Sequence, residues 1–255
     1  MNREKIVVMN FSRIYEQEDF YRDSACEWLE FGNLTGCNCY CDDEAILGIR
    51  EKIVDFSEKG LHFIDSGNYH YMSRLWLEKV KKPFRLLVFD NHTDMQLPAF
   101  GGILSCGGWI AAALQELPFL QEVILVGPDE EAFSQVEHEQ QEKVTFLSRE
   151  ALENLNKAER KNFFAEISKD LPLYISIDKD VLCKADAATT WSQGDMQLTE
   201  LLEDLKIVLS QFKENGQEIL GIDICGECDL AQAEECGKNN WANRKLLELC
   251  ADVFS

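Results

Sequence analysis

Residues 85–94 read RLLVFDNHTD, and this stretch decides the fold. Its apolar run, Leu86 to Phe89, predicts a buried strand, and Asp90, His92 and Asp94 follow at alternating positions. Side chains at positions i, i+2 and i+4 of an extended chain point to one side, so these three metal-ligand types leave the strand together. A buried carboxylate without a partner is costly. Taken alone, the pattern fits either a metal site or a strand that runs into a polar surface loop.

A second stretch has the same design. Residues 173–180 read LYISIDKD, an apolar run that ends in Asp178 and Asp180. Two strands with such ends indicate two sides of one site for divalent cations. Four crowded carboxylates would repel one another, and two divalent ions would balance their charge.

Histidines supply candidate nitrogen ligands for this site. His92 belongs to the first stretch, and His70 follows SGNY at residues 66–69. His62 lies inside a predicted strand and His138 in a polar Glu/Gln stretch, so both are weaker candidates. Two ions about 3.5–4 Å apart can bridge and deprotonate a water molecule. The resulting hydroxide attacks an sp² carbon or a phosphorus, and the cluster does not distinguish between these electrophiles.

The composition limits the class of protein. The chain has 255 residues, 45% of them hydrophobic, and a formal net charge of −21. This length suits one domain over residues 1–255 with a well-buried core. The negative charge argues against binding to nucleic acid or to anionic membranes, and it is compatible with a cationic small-molecule substrate. With no signal-peptide pattern and no apolar run of transmembrane length, the expected location is the cytoplasm.

The chain also has ten cysteines. Without a secretory signal they are predicted to be reduced thiols. Two groups could join in a structural zinc site: Cys37, Cys39 and Cys41 in CNCYC, and Cys225 with Cys228 in CGEC. Because these spacings are not typical of zinc fingers, buried free thiols are the preferred interpretation.

Strand and helix patterns alternate along the chain. Predicted strands cover residues 5–11, 61–64, 86–89, 123–126, 144–147, 173–178 and 219–223. Predicted helices cover residues 43–59, 71–82, 109–117, 149–170, 198–213 and 241–253, with a short helix at 24–30 and a polar helix or loop at 130–142. This order predicts an α/β fold, a three-layer α/β/α arrangement with a mostly parallel sheet and helices on both faces. In such sheets ligands bind beyond the carboxyl ends of the strands.

The motifs resemble those of the arginase/agmatinase (ureohydrolase) family. FDNHTD resembles the D-A-H-x-D motif, SIDKDVL the S-x-D-x-D motif, and SGNYH stands where the family has G-G-D-H. GIDICGE resembles the family's last strand and turn, and the likeness extends from about residue 61 to residue 230. The chain is thus identified as a divergent member of that family, with an arginase-like fold.

The resemblance implies two divalent metal ions, most often Mn²⁺, and a full set of ligands. One ion would take His70, Asp90, Asp94 and Asp178. The other would take Asp90, His92, Asp178 and Asp180, so that Asp90 and Asp178 bridge the ions. It also places Asp223 near these ligands without contact to an ion. Members of this family often form trimers or hexamers, which leaves a homo-oligomer open here.

Departures from the family pattern concern the substrate. The loop after the first metal stretch lacks the family's proton-shuttling histidine, and Cys106 in LSCGG lies nearest to that place as a candidate acid or base. Gly226 occupies the position of the family's guanidinium-binding glutamate, and Glu227 follows one residue later. Trp191, Gln193 and Asp195 either line the pocket or belong to a packed loop.

The leading hypothesis is a binuclear manganese-dependent hydrolase of a linear C–N bond, in a guanidino or amide-type molecule, that acts through a metal-bridging hydroxide. One alternative is a catalytically inactive metal-binding relative, which a pocket filled by Trp191 or Phe100 would favour. A second alternative is a binuclear metallophosphoesterase. That class uses D-x-H and G-N-H motifs, but here their order is reversed.

Overall fold

The computed structural model describes residues 5–97, 102–167 and 170–254. Within these ranges eight strands form one sheet: β1 (Ile6–Asn10), β2 (Glu27–Glu30), β4 (Leu61–Phe63), β5 (Phe84–Phe89), β7 (Leu120–Val126), β8 (Val144–Leu147), β9 (Leu173–Asp178) and β10 (Ile219–Cys225). Their order across the sheet is β2-β1-β4-β10-β9-β5-β7-β8, and all neighbouring strands are parallel. Two further strands, β3 (Tyr40–Cys41) and β6 (Leu104–Ser105), form a small antiparallel ladder.

Helices cover both faces of the sheet. They are α1 (Asp43–Ile53), α2 (Met72–Leu77), α3 (Trp109–Glu116), α4 (Glu130–Ser134), α5 (His138–Gln141), α6 (Arg149–Asn154), α7 (Lys157–Glu166), α8 (Leu198–Glu214) and α9 (Cys236–Cys250). Buried side chains of α1, α2 and α3 belong to one hydrophobic core, and those of α7, α8 and α9 to the other. The predicted α/β class, with a mostly parallel sheet between two helical layers, is therefore confirmed. None of the helices in the described ranges is long and apolar enough to cross a membrane.

Two predicted helices differ in the structure. Residues 27–30 form the edge strand β2 instead of a helix, because Met9 and Leu29 pair in register between neighbouring parallel strands. That pairing is not local, so helical periodicity does not reveal it. The predicted long helix at 149–170 divides at Leu155, which is extended, and Asn156 then starts α7 with a capping box that includes Glu159.

Other predicted boundaries shift for local reasons. The polar stretch at 130–142 forms two short helices, α4 and α5. The helix predicted at 71–82 is only α2, and all six of its residues are buried. Gly60 was expected directly after a helix at 43–59, but α1 ends at Ile53. Gly60 instead lies so close to the backbone of Lys5 that a Cβ on it would be 2.5 Å from the Lys5 carbonyl oxygen.

The strand order brings distant polar segments together. Strands β4, β10, β9 and β5 are consecutive neighbours, so their carboxyl ends meet at one edge of the sheet. Cys225 pairs in register with Asp178, and Phe89 pairs with Ile177, directly before Asp90 and Asp178. The segments that contain His70, Asp90 and Asp178 therefore converge, although they are far apart in sequence.

Candidate metal centre

The turn after β5 is shaped by its own carboxylates. The His92 backbone N–H donates to Asp90 Oδ1 at 2.6 Å, and the Asn91 N–H donates to Asp180 Oδ1 at 3.0 Å. The Asp180 N–H donates to Asp178 Oδ1 at 2.9 Å. These bonds turn the remaining carboxylate oxygens toward a common point beyond the sheet.

The first ligand group gathers around His70. Its Nδ1 atom lies 3.2 Å from Asp90 Oδ2, 3.0 Å from Asp94 Oδ2 and 3.5 Å from Asp178 Oδ2. His70 and the three carboxylates are all buried. These residues form the set expected for one ion.

The second ligand group gathers around His92. Its Nδ1 atom lies 2.8 Å from Asp180 Oδ2 and 3.5 Å from Asp90 Oδ1. Asp90 thus offers one oxygen to each histidine, as a bridging carboxylate would. The structure brings all six predicted ligand side chains to one place.

Two serines hold the histidine rings. His70 Nε2 lies 2.9 Å from Ser176 Oγ, and His92 Nε2 lies 2.8 Å from Ser192 Oγ. When Nε2 donates its proton to the hydroxyl, the lone pair of Nδ1 is free to face a cation. Hydrogen bonds of this kind fix the tautomer and orientation of metal-binding histidines. Neither serine was predicted as a functional residue.

The donor set fits divalent cations. His70 Nδ1 and Asp90 Oδ2 are buried and make no hydrogen bond. Burial, with Asp180 and Asp90 nearby, raises the pKa of Asp178 to about 7, and burial together with Asp90 raises the pKa of Asp180 to about 6. Burial would lower the pKa of His92, but Asp180 and Asp90 outweigh it and raise the pKa to about 12. Positive charge is what these groups require, and two divalent ions would supply it.

Other residues contact the ligands from outside the predicted set. Trp109 Nε1 donates to Asp94 Oδ2 at 2.7 Å. The Cys225 thiol lies 3.2 Å from Asp178 Oδ2. Asp223 has other partners: it accepts a hydrogen bond from Tyr174 Oη and pairs with His62 Nδ1, each at 2.8 Å. In the sequence Cys225 follows the strand predicted at 219–223, and Trp109 begins the helix predicted at 109–117. Neither position is specific enough to predict a contact with a ligand.

A cavity of about 230 Å³ opens above the ligands. Its floor contains Asp90, His92, Asp94, Asp178 and Asp180. Its wall is uncharged and includes Cys39, Tyr40, Gln96, Ser105, Cys106 and Trp191. The β3–β6 ladder joins two parts of this wall, since Tyr40 pairs with Ser105. A small polar molecule that enters the cavity would meet the ligand carboxylates directly.

Of the two candidate catalytic residues, Cys106 lies at the cavity and Glu227 does not. Cys106 lines the cavity, and burial with Asp94 nearby raises the pKa of its thiol to about 12. Glu227 is fully buried in an ion pair with the Lys179 ammonium, and it accepts hydrogen bonds from Asn239 and Asn243 at 2.7 Å each. The structure therefore gives Glu227 partners inside the protein and does not bring it to the cavity.

The loop around residues 189–196 has mixed roles. Trp191 lines the mouth of the cavity and is 44% exposed, so it is not packed in the core. The Gln193 amide donates to the backbone carbonyls of Leu182 and Ala187, and Asp195 is exposed near Arg149. Phe100 lies outside the described residues.

The cysteine-zinc alternative and the weaker histidines can also be placed. All ten cysteines lie in the described residues, and none of them forms a disulfide. Within these residues Cys225 is the only cysteine in a group of three ligand types close enough to share an ion. His138 is exposed beside Glu142. These positions leave the six predicted side chains as the main candidate ligands.

Comparisons with known proteins agree with this geometry. Residues 59–226 match the model of the arginase family. A protein of uncharacterised function from Thermotoga maritima is 32% identical over 244 residues, which cover 95% of this chain and 88% of that protein.

Solved structures share the fold at low sequence identity. Arginase from Bacillus cereus superposes with a TM-score of 0.69 at 10% identity, covering 98% of this chain and 97% of that one. Proclavaminate amidino hydrolase from Streptomyces clavuligerus gives 0.67 at 16% identity, with coverages of 94% and 91%. Formimidoylglutamase from Bacillus subtilis gives 0.67 at 16% identity, with coverages of 98% and 87%. The family predicted from the motifs is confirmed, and with it the class of enzyme, a hydrolase: the chain belongs to the arginase family.

Proposed function

We propose that this protein hydrolyses a linear C–N bond in a small guanidino or amide-type molecule with the help of two divalent metal ions. The observation that carries the proposal is the convergence of six ligand side chains below an accessible cavity. Membership of the arginase family supports the same class of reaction and favours it over the metallophosphoesterase alternative.

The proposed ion positions follow the two histidines. One ion would be held by His70, Asp90, Asp94 and Asp178, and the other by Asp90, His92, Asp178 and Asp180. Bound ions would supply Lewis acidity, which lowers the pKa of water and polarises the carbon of the substrate. Because carboxylate oxygens dominate this donor set, Mn²⁺ is the proposed metal for the pair.

The chain's own residues would orient the substrate and handle protons. The Gln96 side chain and the Ser105 hydroxyl line the cavity and can donate or accept hydrogen bonds from an amide or amidine group. Cys106 lines the cavity, and burial with Asp94 nearby raises the pKa of its thiol, so the S–H group would donate a hydrogen bond to the substrate. Trp191 and Tyr40 at the mouth would limit access of water around the bound molecule.

Recognition of the substrate would differ from a glutamate–guanidinium contact. Glu227 is held by Lys179, and Gly226 has no room for a larger residue, since a Cβ there would lie 2.4 Å from Asp178 Oδ1. Neutral groups of the cavity wall, such as Gln96 and Ser105, would instead orient the C–N group. The amidino hydrolase and formimidoylglutamase with this fold support testing amidino and formimidoyl compounds beside guanidino compounds.

The test is turnover by protein whose metal content has been measured. Protein loaded with Mn²⁺ is incubated with a panel of guanidino, amidino, formimidoyl and linear amide compounds, and release of urea and of ammonia is assayed. The matched control is Asp180→Asn, which keeps the shape of a buried ligand and removes its charge. Turnover by the native chain that the variant loses is the expected result. No turnover of any compound by protein that holds two ions would contradict the proposal.

A further inference from the structure

The thiol of Cys225 lies within the candidate centre, although Cys225 is not one of the six predicted ligands of the two ions. Cys225 is the last residue of β10 and pairs in register with Asp178, the last residue of β9. Side chains of residues in register on neighbouring strands point to the same face of a sheet. The sequence of the two strands therefore places a thiol directly beside a ligand carboxylate.

Three different ligand atoms meet at this point. The Cys225 Sγ atom lies 3.2 Å from Asp178 Oδ2, and His70 Nδ1 lies 3.5 Å from the same oxygen. His70, Asp178 and Cys225 form one of the groups whose ligand atoms all lie within 4.8 Å of one another. Ligands of one zinc ion, with bonds of about 2.0–2.3 Å, lie at comparable separations.

A second observation concerns the buried nitrogen at this point. His70 is buried to 1% exposure, and its Nδ1 atom makes no hydrogen bond, although carboxylate oxygens of Asp94, Asp90 and Asp178 lie 3.0, 3.2 and 3.5 Å from it. When the opposite ring nitrogen donates to Ser176, the Nδ1 lone pair faces the point where these oxygens and the Cys225 thiol meet. A cation bound there would be a partner for the buried nitrogen and would balance the crowded carboxylates.

We propose that Cys225 is a sulfur ligand of the ion held by His70 and Asp178. This inference rests on the proposed metal centre and adds a ligand to it. When the ion binds, the S–H bond breaks, the proton leaves to solvent, and the sulfur lone pair forms the bond to the metal. No change of oxidation state is involved.

The chemistry of sulfur gives the proposal a consequence for the metal. Thiolate ligands favour zinc and other borderline-soft ions, whereas carboxylates and water suit manganese and magnesium. The ion position near His70 would thus bind Zn²⁺ or Co²⁺ more tightly than a position with only oxygen and nitrogen ligands. The position near His92 has no such thiol among its described neighbours and would keep the oxygen-rich preference.

The other nearby thiols provide matched controls. Cys39 and Cys106 line the cavity a short distance away, but neither belongs to a three-ligand group within the described residues. A metal bound by Cys225 can therefore be distinguished from a metal bound adventitiously by the thiols of the wall.

Cobalt spectroscopy of the full-length protein tests the proposal. The native chain is titrated with Co²⁺, and the near-ultraviolet thiolate-to-cobalt charge-transfer band is recorded beside the visible bands that report binding. We expect the band in the native chain and in Cys106→Ser, and its loss in Cys225→Ser with the visible bands kept. Competition titrations should show Zn²⁺ affinity weakened by about 10-fold or more in Cys225→Ser, and Mn²⁺ affinity changed much less.

Contradictory outcomes separate the two proposals. Visible bands without a charge-transfer band in the native chain would show that the ion binds without sulfur, and this inference would fail while the metal centre stands. A band lost in Cys106→Ser instead would assign the sulfur to the wall and also overturn it. No binding of Co²⁺, Zn²⁺ or Mn²⁺ by the native chain would refute the metal centre itself. If Cys225→Ser does not fold, X-ray absorption of the native chain with one Zn²⁺ bound decides, since a shell without sulfur contradicts the proposal.

Discussion

Lys179 and Glu227 form an ion pair, and both side chains are fully buried. Asn243 contacts both partners, and Asn239 binds the other Glu227 oxygen. Lys179 stands between Asp178 and Asp180 in sequence, so this pair anchors the turn that carries two candidate ligands. Glu227, which the sequence suggested for substrate binding, therefore has a structural role in the interior of the protein.

The pair predicts a large loss of stability in Glu227→Gln. Removal of one partner of a buried ion pair costs about 3–5 kcal/mol of the free energy of unfolding. The buried Glu18 carboxyl, whose pKa burial and Glu227 raise to about 10, reduces this cost if it ionises beside Lys179 in the variant. Chemical denaturation measures this value. Glu235→Gln, which breaks an exposed pair with Lys238, is the control and should leave stability unchanged. A stable Glu227→Gln protein with a raised KM would instead support a substrate contact.

The serines behind the histidines predict a loss of metal affinity without a loss of fold. Ser176→Ala and Ser192→Ala remove the hydrogen bonds to His70 Nε2 and His92 Nε2. Mutation of such partners weakens metal binding by about 10–100-fold. Isothermal titration with Mn²⁺ measures the effect, and Ser210→Ala, on the exposed side of α8, is the control. Unchanged affinity in both site variants would mean that the serines do not orient the rings.

The shifted pKa values predict how pH acts on the metal-free and metal-bound protein. Burial and neighbouring carboxylates raise the pKa of Asp178 from 3.8 to about 7, and burial and Asp90 raise the pKa of Asp180 from 3.8 to about 6. Between the ordinary pKa and these raised values, the folded metal-free chain therefore holds more protons than the unfolded chain. Its free energy of unfolding should therefore fall as pH rises from about 4 to about 7. The raised pKa of His92 acts in the same direction above pH 6.5, its ordinary value.

Divalent ions bind the ionised carboxylates, so their affinity should rise over the same pH interval and binding should release protons. Melting temperatures are measured with chelator and with Mn²⁺ from about pH 5 to about pH 8, the interval in which these groups titrate. The difference between the two melting temperatures should widen as pH rises. Calorimetry in buffers of different ionisation enthalpy measures the released protons. Asp180→Asn should flatten the slope of the metal-free protein. A gap that does not depend on pH would contradict the expectation.

Two glycines with positive φ predict different costs for an added methyl group. Gly226 has φ +91°, and a Cβ there would lie 2.4 Å from Asp178 Oδ1, whereas Gly216 has φ +63° with nothing within 4 Å. Gly216→Ala should cost about 1–2 kcal/mol from backbone strain alone. Gly226→Ala should cost more and should also weaken metal binding, because Asp178 has to move. Equal losses of stability with unchanged metal affinity would contradict this account.

Much of the site was predictable because its signals are local. Asp90, His92 and Asp94 follow an apolar run directly, and so do Asp178 and Asp180, so the ends of two buried strands were predictable. The extended geometry expected for these residues was wrong, because β5 ends at Phe89, Asp94 has φ +48°, and Lys179–Val181 form a 3₁₀ turn after β9. Hydrogen bonds within the turns, rather than strand alternation, direct the side chains to one place. Alternation of strands and helices then predicted the parallel sheet, whose carboxyl ends bring the segments together.

The parts that were missed depend on contacts between distant segments. Ser192 reaches His92 across a separation of 100 residues, and no periodicity records that contact. Residues 27–30 form a strand because β1 offers an edge, which outweighs local helical preference. Glu227 lies one residue after the family position, and the buried ammonium of Lys179 explains its place only when the fold is known.

The floor and the wall of the cavity come from different parts of the architecture. The floor residues sit at the ends of central strands, which neighbours fix on both sides, whereas Tyr40 and Ser105 belong to a ladder of two short strands. A change of residues in that ladder can therefore alter which molecules fit without displacing the ligand atoms. Substitutions in the ladder and in the loop around Trp191 are therefore a route to a different binding specificity with the same candidate metal site.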